Sequence, residues 1–378
     1  MKTIQGKKIK DKEWEFDSDF LNLKDPLVLI FGNRYLLESN TIYKEIRKKF
    51  PTGHLVFGST SGEILSNSVF EDSISITAIE FERSFFDIKT ENILDHKKNA
   101  KEAGVSLIEK FKKEGLKHLF VISEGSFVNG SDLIEGIEST FNDNTLAITG
   151  GLCGDDARFE KTLASYNENP KEGEIVGIGF YGETLEFTYA NYGGWTPFGP
   201  ERVITKSAGN VLWEIDNVPA LDIYKKYLGA KAAQLPQAAL LYPLSVKSPN
   251  AEKAIVRTIL NIDEDSNTMI LAGDVPEGSI VQLMMATVDN IANGAFKAAE
   301  LAMKNRKKKP ELGLLISCVG RKLVMDQRVE EEIEEVQHVI GKDVTISGFY
   351  SYGEMAPFTN NKKCILHNQT MTLTLISE

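Results

Sequence analysis

Cysteine is scarce in this chain. Cys153, Cys318 and Cys364 are the three in 378 residues, an odd number at wide spacing with no CxxC, which argues against a disulfide framework or a structural zinc site and fits a reducing compartment. Long apolar runs are missing too: no stretch approaches the roughly 20 residues that cross a bilayer. Membrane insertion is therefore not expected. The opening MKTIQGKKIKDKEWEF has basic residues with no apolar stretch behind them, so it does not read as a secretory signal, and a cytoplasmic protein is expected. Basic charge is not clustered as a phosphate footprint requires, and the net charge of −11 speaks against nucleic-acid partners. The densest basic run, Lys304 to Lys309, reads as a solvated helix C-terminus, where cations complement the macrodipole. No Ser/His/Asp, Cys/His or metal-ligand signature is visible.

What is present is ordinary globular composition, 42 % apolar and 26 % charged. Strand-like runs alternate with amphipathic helical stretches, which predicts an α/β (α+β) protein of mixed β-sheets flanked by helices. The length suggests two domains, 1–195 and 196–378, divided at the Gly- and Pro-dense YGGWTPFGP. Pro219 and Gly229 bracket a short helix, and longer helices are read through Val288–Ala302 and Val329–Ile340. Ile175 to Tyr181 predicts a strand that continues through Gly182–Glu183 into a hairpin.

One pattern recurs. LVLIFGNR, a helix and HLVFGSTSGE read as strand, helix, strand and a small-residue loop ending in Glu63. LGLLISCVGR and VTISGFYSYGE repeat this and end in Glu354, while HLFVISEGS and TLAITGGLCGDD form a looser copy ending in Asp155 and Asp156. In open α/β sheets ligands bind outside the carboxyl ends of strands, so these loops are expected to line one or more pockets. Read singly, each loop is equally a tight strand exit whose acid caps the next turn.

GSTSGE offers backbone N–H groups with Ser59, Thr60, Ser61 and Glu63. It lacks the lysine of a P-loop and places Thr60 where a nucleophile elbow needs serine. Cys153 lies beside acids, which work against a reactive thiolate, and reads as a small structural residue; Asp155 and Asp156 could bind a metal or an amine, though two acids lack the third ligand a metal site needs. Arg321 ends a strand with a fork suited either to a ligand carboxylate or to a local acid. Tyr350 and Tyr352 are expected on one face of an extended chain, with Glu354 in register.

The segments FGSTSGEI, GGLCGDD, GGWTPFGP, VITKSAGNVLWEIDNVPALDIYKKYLG, AGDVPEGSIVQLM, SCVGR and GFYSYGEMAP, in this order, resemble the FIST family across roughly residues 25–375. The resemblance implies a freestanding member with FIST N-terminal and C-terminal parts. It also implies a ligand-binding sensory protein of prokaryotic signal transduction, with an amino acid or related carboxylate metabolite as ligand. No room is left here for an output module, so a separate histidine kinase or chemotaxis protein is the expected partner. In the ligand reading, Arg321 and the GSTSGE amides meet the negative end, Glu63 or Glu354 the positive end, and Tyr352 the body. A subset of the family binds haem and senses nitric oxide. Haem needs an axial His, Cys, Tyr or Met; His54, His96, His118, His338 and His367 are scattered, with His54, His118 and His338 reading as surface or edge residues, so no cofactor is expected. The rival readings are a hydrolase using Cys153, Cys318 or Ser61, paired-carboxylate chemistry by Glu63 and Glu354, and a scaffold that binds partners through its helices.

Overall fold

A computed structural model describes residues 1–18, 22–141, 146–249, 251–358 and 363–378. The three strand–helix–strand patterns are three copies of one larger unit. In the first, β1 (Lys2–Ile9) is followed by β2 (Leu27–Gly32), helix α1 (Ile42–Lys49), β3 (His54–Ser59), a short β4 (Glu63–Leu65) and a return strand β5 (Ser73–Glu80). The second runs β6 (Phe85–Asn92), α2 (Ala100–Glu109), β7 (Leu116–Ser123), α3 (Gly130–Glu138), β8 (Ala147–Leu152), β9 (Ala164–Tyr166) and β10 (Glu174–Tyr181). The third runs β11 (Glu186–Tyr192), α4 (Val288–Met303), β12 (Leu312–Cys318), α5 (Val319–Met325), α6 (Glu331–Ile340), β13 (Thr345–Ser351), β14 (Gly353–Pro357) and β15 (Met371–Ser377).

In every unit the two strands around the helix pair in parallel: β2 with β3, β7 with β8, β12 with β13. The return strand lies antiparallel beside the first of them, and the opening strand beside the return. The strand after the acidic loop does not stay at home. β4 pairs with β13 of the third unit, β14 with β8 of the second, and β9 with β3 of the first. Each unit thus hands one strand to the next, and the three six-stranded sheets close into a prism.

The inward faces share one core. Leu29, Phe31 and Val56 meet Phe120, Ile122 and Ile178, and both sets meet Leu314, Ile316 and Phe349. The parallel strands read as unbroken apolar runs because both faces are covered: outward residues pack under helices in three separate clusters. On the second sheet, α2 and α3 cross closely because Gly104 and Gly136 allow it. A Cβ on Gly136 would fall 2.1 Å from the Lys101 carbonyl oxygen. Asn129 caps α3, its side chain accepting from the Ser131 and Asp132 amides.

Between β11 and α4 the chain builds an insert over 196–285. It has its own eight-stranded sheet, its own core around Leu221, Tyr224 and Leu244, and the helix Ala220–Leu228 that ends on Gly229 at φ 56°. The chain enters the insert just after Trp195 and returns to the prism at α4. Two expectations are corrected. Glu186–Tyr192 forms no hairpin with Glu174–Tyr181; it joins the third sheet beside β15, so the turn at Gly182 and Glu183 carries the chain between units. His118 is not a surface or edge residue: it is fully buried with its ring stacked 4.4 Å from Phe187.

Candidate functional site

All three acidic loops meet at one end of the prism, the end where the parallel strands finish. They interlock through backbone hydrogen bonds running in one cyclic sense. Ser61 N–H donates to the Tyr350 carbonyl at 2.8 Å, Tyr352 N–H to the Leu152 carbonyl at 3.2 Å, and Gly154 N–H to the Ser59 carbonyl at 2.9 Å. The turns match as Ser61-Gly62-Glu63, Cys153-Gly154-Asp155 and Tyr352-Gly353-Glu354. Glycine is required in the first, where Gly62 has φ 138°.

The acids of these turns are buried and answered from within. Glu63 accepts from the Thr60 and Ser73 hydroxyls, and burial pushes its carboxyl up to about 8 against those bonds. Glu354 accepts from Ser351 at 2.7 Å and from the Thr370 hydroxyl at 2.8 Å and amide at 3.1 Å, and burial pushes it up to about 7. Asp155 meets the Arg34 guanidinium at 3.2 Å; burial raises its carboxyl and Arg34 opposes the rise. Lys322 Nζ reaches the Ser61 carbonyl at 2.8 Å and favours the charged form of Glu63.

The remaining residues singled out in the sequence have definite places. Ser59 donates to the Gly154 carbonyl at 2.8 Å and accepts from Leu163 N–H at 2.8 Å. Ser61 donates to the Asp156 carbonyl at 2.8 Å. Cys153 lies in the central core, and burial pushes the thiols of Cys153 and Cys318 well up, away from nucleophilic thiolates. Arg321 is fully buried. Its guanidinium donates to Glu332 at 2.7 and 3.0 Å and to the carbonyls of Gly193 and Ile291, so the local-acid alternative describes its bonds. Tyr350 and Tyr352 do not share a face, because the chain leaves the third sheet for the second at Tyr352. Tyr350 donates to Glu332, whereas the Tyr352 hydroxyl accepts from Phe159 N–H at 2.9 Å.

This end opens beside Tyr352. A cleft runs between the prism and the insert, in two adjoining cavities of about 250 and about 480 Å³. Both are walled by Gly125, Ser126, Phe159, Leu260 and Tyr352, with Phe127 and the start of α3 in the first and Arg158 in the second. Phe159 stacks on Tyr352 at 4.3 Å between ring centres. Ser126, Phe127, Phe159 and Leu260 were missing from the sequence reading. The Gly-rich exit of HLFVISEGS was the only local signal for the first two, and nothing local marks a wall supplied by the insert.

Haem does not fit these residues. The cleft wall carries no histidine, cysteine or methionine, the Tyr352 hydroxyl is engaged, and His118 and His367 are enclosed in packing. Among the described residues no group of three or more His, Cys, Asp or Glu is placed to hold a metal ion, and no helix is long and apolar enough to cross a membrane.

Comparison with known proteins places this architecture. An uncharacterized protein of Methanocaldococcus jannaschii is 27 % identical over 243 residues, which is 56 % of this chain and 45 % of that protein. The chain therefore spans less than half the length of that relative. The FIST N domain matches residues 26–218 and the FIST C domain residues 220–357. The two matches together take in the ring of acidic turns and most of the cleft wall, and the chain belongs to the FIST family, whose domains are sensory domains of signal transduction.

Proposed function

We propose that this protein senses a small molecule for prokaryotic signal transduction by binding it in the cleft between the prism and the insert. The observation that carries the reading is the cleft itself. It lies at the carboxyl ends of parallel strands, where α/β folds place ligands, and its combined size is within the usual range for small-molecule sites. Its walls combine aromatic faces, at Phe127, Phe159 and Tyr352, with the polar Ser126 and Asn210.

An amino acid or related carboxylate metabolite suits such a wall. With Arg321 engaged by Glu332, that guanidinium would not be the group that meets the carboxylate. Tyr352 is the residue from the sequence reading that would touch the ligand directly, with Asp155 close behind through Arg158. Ligand binding would hold the insert against the prism, and a separate histidine kinase or chemotaxis protein would read that state.

Thermal unfolding against amino acids, organic acids and other small metabolites tests this. A ligand at a hundredfold over its Kd adds about 2.7 kcal/mol of stability, and Leu260→Trp, which fills the cleft, should remove the shift. A compound that stabilises the wild type and Leu260→Trp equally would place its site elsewhere. No stabilisation by any compound class would remove the reading.

A further inference from the structure

The three turns of the ring are not equally touched by basic side chains: Arg321 favours the charged form of Glu354 only from a distance, its own bonds going to Glu332 and to backbone carbonyls. In two of the junctions a basic side chain from the segment leaving the first parallel strand reaches the x-Gly-acid turn of a neighbouring unit. Arg34, just after β2, meets Asp155 at 3.2 Å. Lys322, just after β12, meets the Ser61 carbonyl at 2.8 Å beside Glu63. The third junction brings the segment after β7 against the turn Tyr352-Gly353-Glu354. That segment is Glu124 to Asn129, and from His118 to Ala157 the sequence contains no lysine or arginine at all. The cleft opens at this junction, with Gly125, Ser126 and Tyr352 on its wall.

Resting on the cleft being the ligand site, we propose that the third junction takes its positive charge from the ligand: the cleft binds an organic cation, a primary amine or guanidine, with its charged nitrogen against the turn of Tyr352. A cation there would do for the Tyr352 turn what Lys322 does for the Ser61 turn.

Two further observations agree. The Asn368 side chain is fully buried and bonded through its amide nitrogen to the Tyr352 carbonyl at 3.4 Å, a long and weak contact. Its oxygen finds no donor among the described residues, nor does that of the neighbouring Gln369. Buried acceptors without donors are costly; neither residue lines the cleft itself, but Asn368 lies against the turn at Gly353. Around the cleft, moreover, carboxylates crowd: the Asp132 carboxyl in the first turn of α3 is pushed up by burial and then by Asp274 of the insert. Arg158, the basic residue on the wall, is already paired with Asp156 and Asp155. Lys98 lies over the Phe127 ring at 4.1 Å.

Strand register supplies the test. Ser123 pairs with Leu152 and Cys318 with Ser351, and each partner lies the same distance before its acid, Asp155 or Glu354. Phe127 therefore corresponds to Lys322. A lysine at 127 should act as an internal ligand, and Phe127→Met controls for loss of the ring. Unfolding would be followed with putrescine, cadaverine and agmatine, set against matched diols and dicarboxylates. The expected result has three parts: the amines stabilise the wild type and Phe127→Met saturably, Phe127→Lys responds at least tenfold more weakly, and Phe127→Lys without ligand melts above Phe127→Met. The proposal is overturned if Phe127→Lys melts no higher than Phe127→Met and binds amines as well as it does. It is also overturned if only diols or dicarboxylates bind, and in that case the small-molecule reading stands. If no compound of any class binds, the small-molecule reading falls with it.

Discussion

The Arg321 guanidinium and the Glu332 carboxylate meet at 2.7 Å with neither exposed to solvent. The same carboxylate accepts from Tyr350 and Ser317, and the same guanidinium binds carbonyls of Gly193 and Ile291. One ion pair therefore ties α5 and α6 to both chain segments that connect the insert with the prism.

Removing one member of such a pair strands the other as a buried charge, at a cost of about 3–5 kcal/mol. Arg321→Ala should lose that much in denaturant unfolding, and Glu332→Leu a similar amount. The double replacement Arg321→Met with Glu332→Leu should recover much of it. If Arg321→Ala unfolds like the wild type yet fails to bind ligand, the guanidinium faces the ligand and not Glu332.

Glu63 gives a pH dependence of definite sign. Its folded value of about 8 lies above the unfolded carboxylate range, so between roughly pH 4.5 and 8 the folded state holds a proton that the unfolded state has released. Its contribution to stability is fullest below that window and is lost as pH rises through it. Glu354, at about 7, acts in the same direction over a narrower window. Glu63→Gln, which cannot ionise, should flatten the decline between pH 5 and 8 by on the order of 1 kcal/mol per pH unit. An unchanged slope would mean that Glu63 is ionised in the fold.

Gly136 lies mid-helix, where alanine is favoured by about 1 kcal/mol on propensity alone. The 2.1 Å approach of a Cβ to the Lys101 carbonyl should outweigh that, since overpacking costs about 1–3 kcal/mol. Gly136→Ala is expected to destabilise, and a stabilised variant would show that α2 and α3 separate easily.

The three thiols are buried. A thiol reagent at neutral pH should leave the native protein unmodified and titrate all three cysteines once it is unfolded. Rapid modification of Cys153 or Cys318 in the native state would revive a nucleophilic role.

The repeated strand, helix, strand and acidic turn could be read from sequence because each is local: a buried run, an amphipathic stretch and a glycine turn follow one another between Leu27 and Glu63, Leu116 and Asp155, and Leu312 and Glu354. The strand exchange could not. Glu63 pairs with Phe349, and no local pattern specifies a partner so distant in sequence. The Gly182 hairpin failed for the same reason, since a turn residue marks a reversal without naming the sheet that follows. The loops were expected to line one or more pockets, but which of them converge was left open, and the open side was not expected. Part of its wall comes from the insert, at Asn210, Leu260 and Leu271, far from Tyr352 in sequence.

The cyclic exchange of strands has a consequence for how the molecule comes apart. Every sheet borrows a strand from another unit, so no unit can melt without unzipping a ladder in its neighbour and exposing a raw edge there. The prism should consequently melt in one all-or-none step, and only the insert has the separate core needed to loosen by itself. In the sensor proposed above, motion that reports a bound ligand would thereby be confined to the insert, riding on a frame that does not yield.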